Sequence, residues 1–314
     1  MQISGGISIT GGVSLTPGGS GGGAYSFQGS NYGYTSGGFT PSAVNTIDKF
    51  PFASDGNATD VGDLTVARFF IAGQSSDASG YSSGGGAPPP NVDTIDKFPF
   101  ASDGNATDVG DLTVAKRSAA GQSSSVSGYS SGGGAPASQN TIDKFPFASD
   151  ANASDVGDLT VARRNSCGQS SSVSGYTSGG ETLNLIDKFP FASDANATDM
   201  GDLTQSRERA SGQSSSVSGY TSGGYLPPYF NTIDKFPFAS DGNATDVGDL
   251  TGTIWPAAGQ SSDASGYSSG GYLVVDGEAS IVDTIDKFPF ASDSNATDVG
   301  NLSQTRTGGA GQQY

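Results

Sequence analysis

A sixfold internal repeat constrains the fold of this chain more than any other feature of its sequence. The string Ile-Asp-Lys-Phe-Pro-Phe occurs at intervals of 44 to 52 residues and begins at Ile47, Ile95, Ile142, Ile186, Ile233 and Ile285. A Gly-Tyr-Ser/Thr-Ser-Gly-Gly string precedes each copy, and variations on Ser-Asp-Gly-Asn-Ala-Thr-Asp follow it. Units this similar are typical of repeat architectures, in which each unit buries its apolar residues against its neighbours.

Each unit is predicted to contain four short β-strands. They comprise an Ala-Gly-Gln-Ser stretch, the Gly-Tyr string, the Ile-Asp-Lys string, and a segment that runs from Ala-Thr-Asp-Val-Gly to the Arg of Thr-Val-Ala-Arg. Helix is disfavoured because no segment has helical apolar spacing and because Gly, Ser, Asn and Asp recur every few residues. In the third strand, alternation places Phe50 and Phe52 on one face and Ile47 on the other. The sheet is therefore expected to be covered on both sides.

The length of the unit predicts an all-β fold, a six-bladed β-propeller with an extended N-terminal arm. Leucine-rich repeats are shorter, armadillo and tetratricopeptide units need helices, and β-solenoids have shorter coils. Residues 310–312 repeat the Ala-Gly-Gln sequence that opens the first strand of later units. We therefore expect the C-terminus to supply the innermost strand of the first blade. The alternative is that residues 25–32 fill this position.

The paired glycines Gly37 and Gly38, the Asp of the third strand and the Leu-x-x-x-Arg of the fourth strand resemble a kelch repeat. The resemblance extends from about residue 33 to residue 306 and implies that the glycines end the second strand. The kelch tryptophan is missing from every unit, so Phe50, Phe52 and their equivalents are expected to fill its volume. Copper-radical oxidases with this fold need His and a Tyr–Cys pair, and that activity is not implied here.

Composition excludes several classes of function. The chain of 314 residues has no His and a single Cys, so His-dependent bases, nucleophile systems and metal sites are absent, as is an internal disulfide. With 14 Lys+Arg against 31 Asp+Glu, the net charge is −17, which disfavours a nucleic-acid groove and docking to anionic lipid. We therefore expect a protein that is not an enzyme, without cofactors, and with neither nucleic acid nor membrane as partner. No N-terminal signal peptide is recognisable.

The chain is predicted to comprise a Gly-rich, β-prone arm and linker at residues 1–24 and the propeller at residues 25–314. This opening, followed by highly similar propeller units, resembles predicted structural proteins of phages of aquatic bacteria. The resemblance implies a virion protein at the tail or head surface, within an oligomeric assembly. Residues 1–20 would contact other virion proteins, and the propeller would contact a host glycan or protein. The alternatives are a free kelch-like lectin or adhesin and, less favoured, a propeller hydrolase.

The six units diverge from one another in two segments only, the connections between strands 2 and 3 and those from strand 4 to the next unit. In an up-and-down blade both connections lie at the same end of the disc. Aromatic residues in these segments are candidate binding residues: Phe69, Phe70, Tyr225, Tyr229, Phe230 and Trp255. The alternative is sequence drift in unconstrained loops.

The opposite end carries a repeated polar set, represented in the first unit by Asp55, Asn57 and Asp60. Asp and Asn close tight turns by accepting hydrogen bonds from the backbone two residues on, so a structural role is favoured. Calcium binding is a weaker alternative, because the Gly at loop position 6 and the Glu at position 12 of a calcium loop are missing. A catalytic carboxylate pair is disfavoured by six equal copies.

Overall fold

A computed structural model describes residues 27–87, 90–227, 229–275 and 278–314. The described residues contain no helix, and hence none that could span a membrane. The predicted arm at residues 1–24 lies outside the described residues.

Within the described residues all regular elements are β-strands, and their bounds follow the repeat. The strands are β1 (Tyr32–Phe39), β2 (Ala43–Pro51), β3 (Thr59–Asp63), β4 (Ala72–Ser75), β5 (Ser79–Ser83), β6 (Thr94–Pro99), β7 (Thr107–Asp111), β8 (Ala120–Ser123), β9 (Ser127–Ser131), β10 (Gly134–Ala135), β11 (Ala137–Ser138), β12 (Thr141–Pro146), β13 (Ser154–Asp158), β14 (Cys167–Ser170), β15 (Ser174–Ser178), β16 (Leu185–Pro190), β17 (Thr198–Asp202), β18 (Ser211–Ser214), β19 (Ser218–Ser222), β20 (Thr232–Pro237), β21 (Thr245–Asp249), β22 (Ile254–Trp255), β23 (Ala258–Ser261), β24 (Ser265–Val275), β25 (Glu278–Pro289), β26 (Thr297–Asn301) and β27 (Ala310–Gln313).

Six antiparallel sheets form the blades of a β-propeller, as predicted. From the axis outward, blade 1 is β27-β1-β2-β3, blade 2 is β4-β5-β6-β7 and blade 3 is β8-β9-β12-β13. Blade 4 is β14-β15-β16-β17, blade 5 is β18-β19-β20-β21, and blade 6 contains β23-β24-β25-β26 with β22 also paired to β24. The third strand of every blade ends at its proline, where the missing N–H interrupts no further pairing.

The ring is closed by the C-terminus. Strand β27 pairs with β1 in antiparallel register, with Gln312 opposite Tyr34 and Ala310 opposite Ser36. The prediction of terminal closure is therefore confirmed. Residues 27–31 do not take the innermost position; instead, they run across one end of the axis, where the Gln28 side chain donates to the Ser214 carbonyl at 3.0 Å.

Close backbone packing surrounds the propeller axis. The second residue of each innermost strand is a glycine that faces the glycine of the next blade: Gly73, Gly121, Gly168, Gly212, Gly259 and Gly311. A Cβ on Gly311 would lie 2.0 Å from the Gly259 carbonyl oxygen, far inside van der Waals contact. Only glycine allows six innermost strands to approach this closely.

Apolar contacts between blades bury both faces of each sheet. Phe50 and Phe52 pack on Tyr267 of blade 6, with ring centroids 5.5 and 4.8 Å away. Ile47, on the other face of β2, lies in a cluster with Phe98 of blade 2. The predicted division of the third strand into two buried faces is confirmed, and the same Tyr–Phe contact joins every pair of neighbouring blades.

Buried ion pairs also join neighbouring blades. The Asp of a third strand binds the basic residue that precedes its blade in the pairs Asp96–Arg68, Asp143–Lys116, Asp187–Arg163, Asp234–Arg207 and Asp48–Arg306, at 2.6 to 3.2 Å. The prediction that the fourth strand runs as far as this basic residue is therefore wrong. Strand β3 ends at Asp63, because the chain beyond it leaves the sheet so that Arg68 can reach Asp96 of the next blade.

The paired glycines have the left-handed conformations that a strand irregularity needs. Gly37 and Gly38 have φ of 63° and 122°, and the register of β1 against β2 shifts between Ser36 and Gly38. In blade 2 the equivalent strand β5 ends at Ser83, directly before its glycine pair. In blade 1 the strand continues to Phe39, so the glycines bend the strand there rather than end it.

Replacing Gly311 by Ala tests the packing at the axis. We expect the free energy of unfolding to fall by about 3 kcal/mol, because the new methyl group overlaps a backbone carbonyl that cannot move without opening the ring. The measurement is guanidinium denaturation. The matched control is Gly56→Ala, where a Cβ meets no atom within 4 Å. Equal stability of the two variants would contradict the proposed constraint.

Candidate functional site

The diverging connections of all six units meet at one end of the disc. Short β-bridges join a strand 4–1 connection to the strand 2–3 connection beside it, as in the pairs Phe69–Gly86, Arg117–Gly134 and Glu208–Tyr225. We call this end the variable face, formed by the strand 2–3 connections and the strand 4–1 connections. The other end, formed by the near-identical turns, is the constant face.

Four aromatic rings form a patch on the variable face between blades 5 and 6. Trp255 lies 4.8 Å from Tyr225, 5.9 Å from Tyr229 and 5.1 Å from Tyr272, measured between ring centroids. Tyr229 and Tyr272 are nearly parallel to the indole, at 15° and 29°. We call these four residues the aromatic patch. Tyr229 is 39% exposed and the other three are half-buried, so the patch offers ring surface to solvent.

A local change in the repeat builds this patch. Blade 6 has Ile254 where the other junctions have Arg or Lys, and Ile254 is buried with Leu273 in an apolar cluster. The pair Ile254–Trp255 adds as β22 to β24, which places Trp255 opposite Tyr272. An apolar residue at this junction therefore fixes the position of the indole.

The same change leaves a buried carboxylate without a cation. Asp286, equivalent to the five paired Asp residues, is fully buried and forms no ion pair within the described part of the chain. It accepts hydrogen bonds from Thr251 N at 2.9 Å and from Thr251 Oγ1 at 2.7 Å. Burial raises the pKa of Asp286, because the charged form loses its hydration.

A second group of rings lies nearer the axis. Phe69 contacts Phe39 and Phe70 at centroid distances of 5.4 and 4.9 Å, and all three are half-buried. The Arg209 guanidinium connects this group to the aromatic patch, since it lies 5.6 Å from the Phe70 ring and 5.5 Å from the Trp255 ring. The predicted residues Phe69, Phe70, Tyr225, Tyr229 and Trp255 are thus on one surface.

The prediction that Phe230 is an exposed ring is wrong. Phe230 is only 9% exposed, and its ring lies 5.6 Å from the Arg207 guanidinium. That guanidinium forms a buried ion pair with Asp234. Phe230 therefore packs against this ion pair instead of facing solvent. Sequence reasoning missed Phe39, Arg209 and Tyr272, although all three lie in the segments that vary between units.

On the constant face, the repeated polar residues join neighbouring blades. Asp55 pairs with Lys287 at 2.8 Å, and the Asn57 side-chain oxygen accepts a hydrogen bond from Asn301 N at 3.1 Å. Only Asp60 accepts from the backbone two residues on, at Gly62 N. The expectation of local turn closure therefore holds for Asp60, whereas Asp55 and Asn57 bind the preceding blade in the ring. The described residues contain no group of three or more acidic, Cys or His side chains placed to hold a metal ion.

In comparisons with protein-family models and with curated proteins, no match to this chain was found.

Replacing Asp286 by Asn removes the unpaired buried charge and keeps an oxygen for the Thr251 N–H. We expect the variant to be more stable than the wild type by about 1 kcal/mol at pH 7. Since the raised pKa lets the wild-type carboxyl become neutral as the pH falls, the difference should shrink towards about pH 4, the ordinary range of an Asp. Guanidinium denaturation at a series of pH values measures this.

The matched control is Asp234→Asn, which leaves Arg207 buried without its carboxylate. That variant should lose about 3 kcal/mol at pH 7. If both variants lose the same free energy of unfolding, Asp286 is not a destabilising charge.

Proposed function

We propose that this protein is a non-enzymatic structural and interaction protein of a virus particle, a phage of bacteria. Residues 1–20 attach it to the particle, and the variable face binds the host surface or a partner protein. The observation that carries its recognition role is the aromatic patch, four clustered rings on the end of the disc where the six units diverge.

The aromatic patch has the properties of a recognition surface. Aromatic rings supply large, rigid contact area at a low cost in conformational entropy. Here they are held by strand pairing at Trp255 and Tyr272, so little order has to be gained on binding. The constant face, in contrast, uses its repeated side chains for contacts between blades. This division supports recognition by the variable face.

The point where the N-terminal segment joins the propeller supports separate roles for that segment and for the variable face. Gly29 N donates to the Ser261 carbonyl at 2.9 Å, and the Gln313 side chain donates to the Phe27 carbonyl at 2.9 Å. Residues 27–29 thus lie at the axis of the constant face. A particle that holds residues 1–20 would leave the variable face accessible on the opposite end.

The second candidate is a free lectin-like or protein-binding module. The aromatic patch favours it equally, because rings stacked nearly parallel suit the apolar faces of sugars as well as protein side chains. The two candidates differ in what residues 1–20 do, since only the first assigns them a docking role.

Binding through the aromatic patch is tested by the double variant Trp255→Ala, Tyr229→Ala. We expect its attachment to cells of a bacterial host to weaken by about 2 kcal/mol, roughly thirtyfold, because both rings are truncated at the centre of the surface. The assay is flow cytometry with fluorescently labelled protein, and the melting temperature should change little. The control is Val173→Ala, which shortens an exposed side chain on the constant face. Unchanged attachment of the double variant would contradict the proposal.

Docking through the arm is tested by deleting residues 1–20. The propeller should keep its melting temperature, because its ring is closed by β27 and not by the arm. Assembly, followed by sedimentation of the full chain and of the truncated chain with virus particles, should be lost. An unfolded truncated protein, or one that still sediments with particles, would show that the arm has another role.

A further inference from the structure

Aromatic and cationic side chains form one row across the variable face, and from Trp255 onward they alternate. From blade 6 inward the row contains, in order, Tyr272, Trp255, Arg209, Phe70 and Arg117. Successive members are 5.1, 5.5, 5.6 and 6.0 Å apart, measured between ring centroids for the first pair and between a ring centroid and a guanidinium carbon for the others. We call these five residues the arginine–aromatic row. It passes over the mouth of the axis, which Phe70 and Arg209 line, and it ends between blades 2 and 3.

A series of backbone hydrogen bonds around the axis mouth holds the centre of this row. Phe70 N donates to the Gly308 carbonyl at 2.6 Å, and Arg209 N donates to the Asn165 carbonyl at 2.7 Å. Phe70 and Arg209 have φ of 55° and 57°, a left-handed conformation that is costly for such residues. Because the backbone is fixed at both positions, the two side chains project from the axis mouth in a set arrangement.

The row continues into a cleft beside Arg117. The cleft has a volume of about 410 Å³ and is lined by Phe69, Asn91, Arg117 and Arg164, among others. Arg117 and Arg164 are both exposed. A group that enters this cleft therefore meets two guanidinium groups and one phenyl ring.

The charges of the row contrast with those of the rest of the protein. The lysines of the constant face each pair with an Asp of a neighbouring blade, and the remaining arginines are buried in ion pairs. Arg164 and Arg209 lie 3.7 and 3.5 Å from Glu181 and Glu208. Arg117 forms no ion pair among the described residues. In a chain of net charge −17, exposed guanidinium groups are thus confined to this surface.

We propose that the arginine–aromatic row and its cleft bind a polysaccharide that carries carboxylate groups. The inference rests on the proposed function and names the ligand class of the variable face. Guanidinium groups bind carboxylates through paired hydrogen bonds, and flat rings offer stacking surface to sugar rings. Alternation of the two along an open surface suits a chain in which acid groups and sugar rings also alternate.

A single-stranded nucleic acid also combines rings with anions, but the charges disfavour it. Proteins that bind such strands track the backbone with a positively charged groove. Here the surface carries only Arg117, Arg164 and Arg209, of which Arg164 and Arg209 each lie beside a Glu, and the −17 net charge repels a phosphate chain. A carboxylate-bearing glycan has fewer charges per ring and needs fewer cations.

The experiment uses the full chain and three probes: polygalacturonate oligosaccharides, the methyl ester of the same oligosaccharides, and oligo(dT). Trp255 is the only tryptophan, so quenching of its fluorescence reports occupation of the row. We expect polygalacturonate to bind at least tenfold more tightly than its methyl ester, and oligo(dT) not to bind at low ionic strength. Equal affinity for acid and ester, or binding of oligo(dT) alone, overturns the proposal, as does failure of the acid to bind.

Variants place the binding in the row. Arg117→Gln and Arg209→Gln should each weaken binding of polygalacturonate about tenfold, the loss expected for one charge-assisted contact. The ester should be affected little by Arg117→Gln, which is remote from the aromatic patch. Lys235→Gln, which removes a paired cation from the constant face, should leave binding unchanged. Circular dichroism and melting temperature confirm folding, and a loss of binding in Lys235→Gln equal to that in the row variants overturns the assignment.

This test separates the inference from the proposed function. If polygalacturonate fails to bind while the double variant Trp255→Ala, Tyr229→Ala still loses attachment to host cells, the ligand class is wrong and the recognition role stands. If the double variant attaches normally and polygalacturonate binds in a manner sensitive to Arg117 and Arg209, the row binds acidic glycans but host recognition lies elsewhere.

Discussion

The contact between neighbouring blades is the interaction on which the rest of this structure depends. At the axis, glycine meets glycine, and a Cβ on Gly311 would lie 2.0 Å from a backbone oxygen of the next blade. Further out, each Tyr packs on two Phe rings of the next blade, as Tyr34 does with Phe98 and Phe100. A single blade has nothing to cover these faces, so the units are stable only as a closed ring.

Because these contacts recur at every junction, the sequence is free to vary only where it does not take part in them. The strands and the constant face are occupied by interblade contacts such as Lys287–Asp55. The connections on the variable face escape this requirement. The junction of blades 5 and 6 departs furthest, since Ile254 replaces a basic residue, positions Trp255 and leaves Asp286 unpaired. A buried carboxylate without a cation accompanies the aromatic patch.

The charged side chains follow the same division between the constant face and the variable face. Most cationic side chains form ion pairs between blades, either buried, as in Arg306–Asp48, or exposed on the constant face. The arginines that remain accessible lie on the variable face: Arg117 and Arg164 line a cleft, and the Arg209 guanidinium lies between the rings of Phe70 and Trp255 at the axis mouth. An acidic protein thereby presents a local surface suited to anionic groups.

The sequence by itself determined the six blades, the burial of Ile47 and Phe50 on opposite faces, and ring closure by residues 310–312. These follow from a pattern repeated six times, so each is read from short segments. Only the tertiary structure decided that β3 ends at Asp63, that Phe230 is covered, and that Trp255, Arg209 and Phe70 are neighbours. Trp255, Arg209 and Phe70 belong to different units far apart in the chain. Their contact arises because the ring brings every variable connection to the same axis, which no local pattern records.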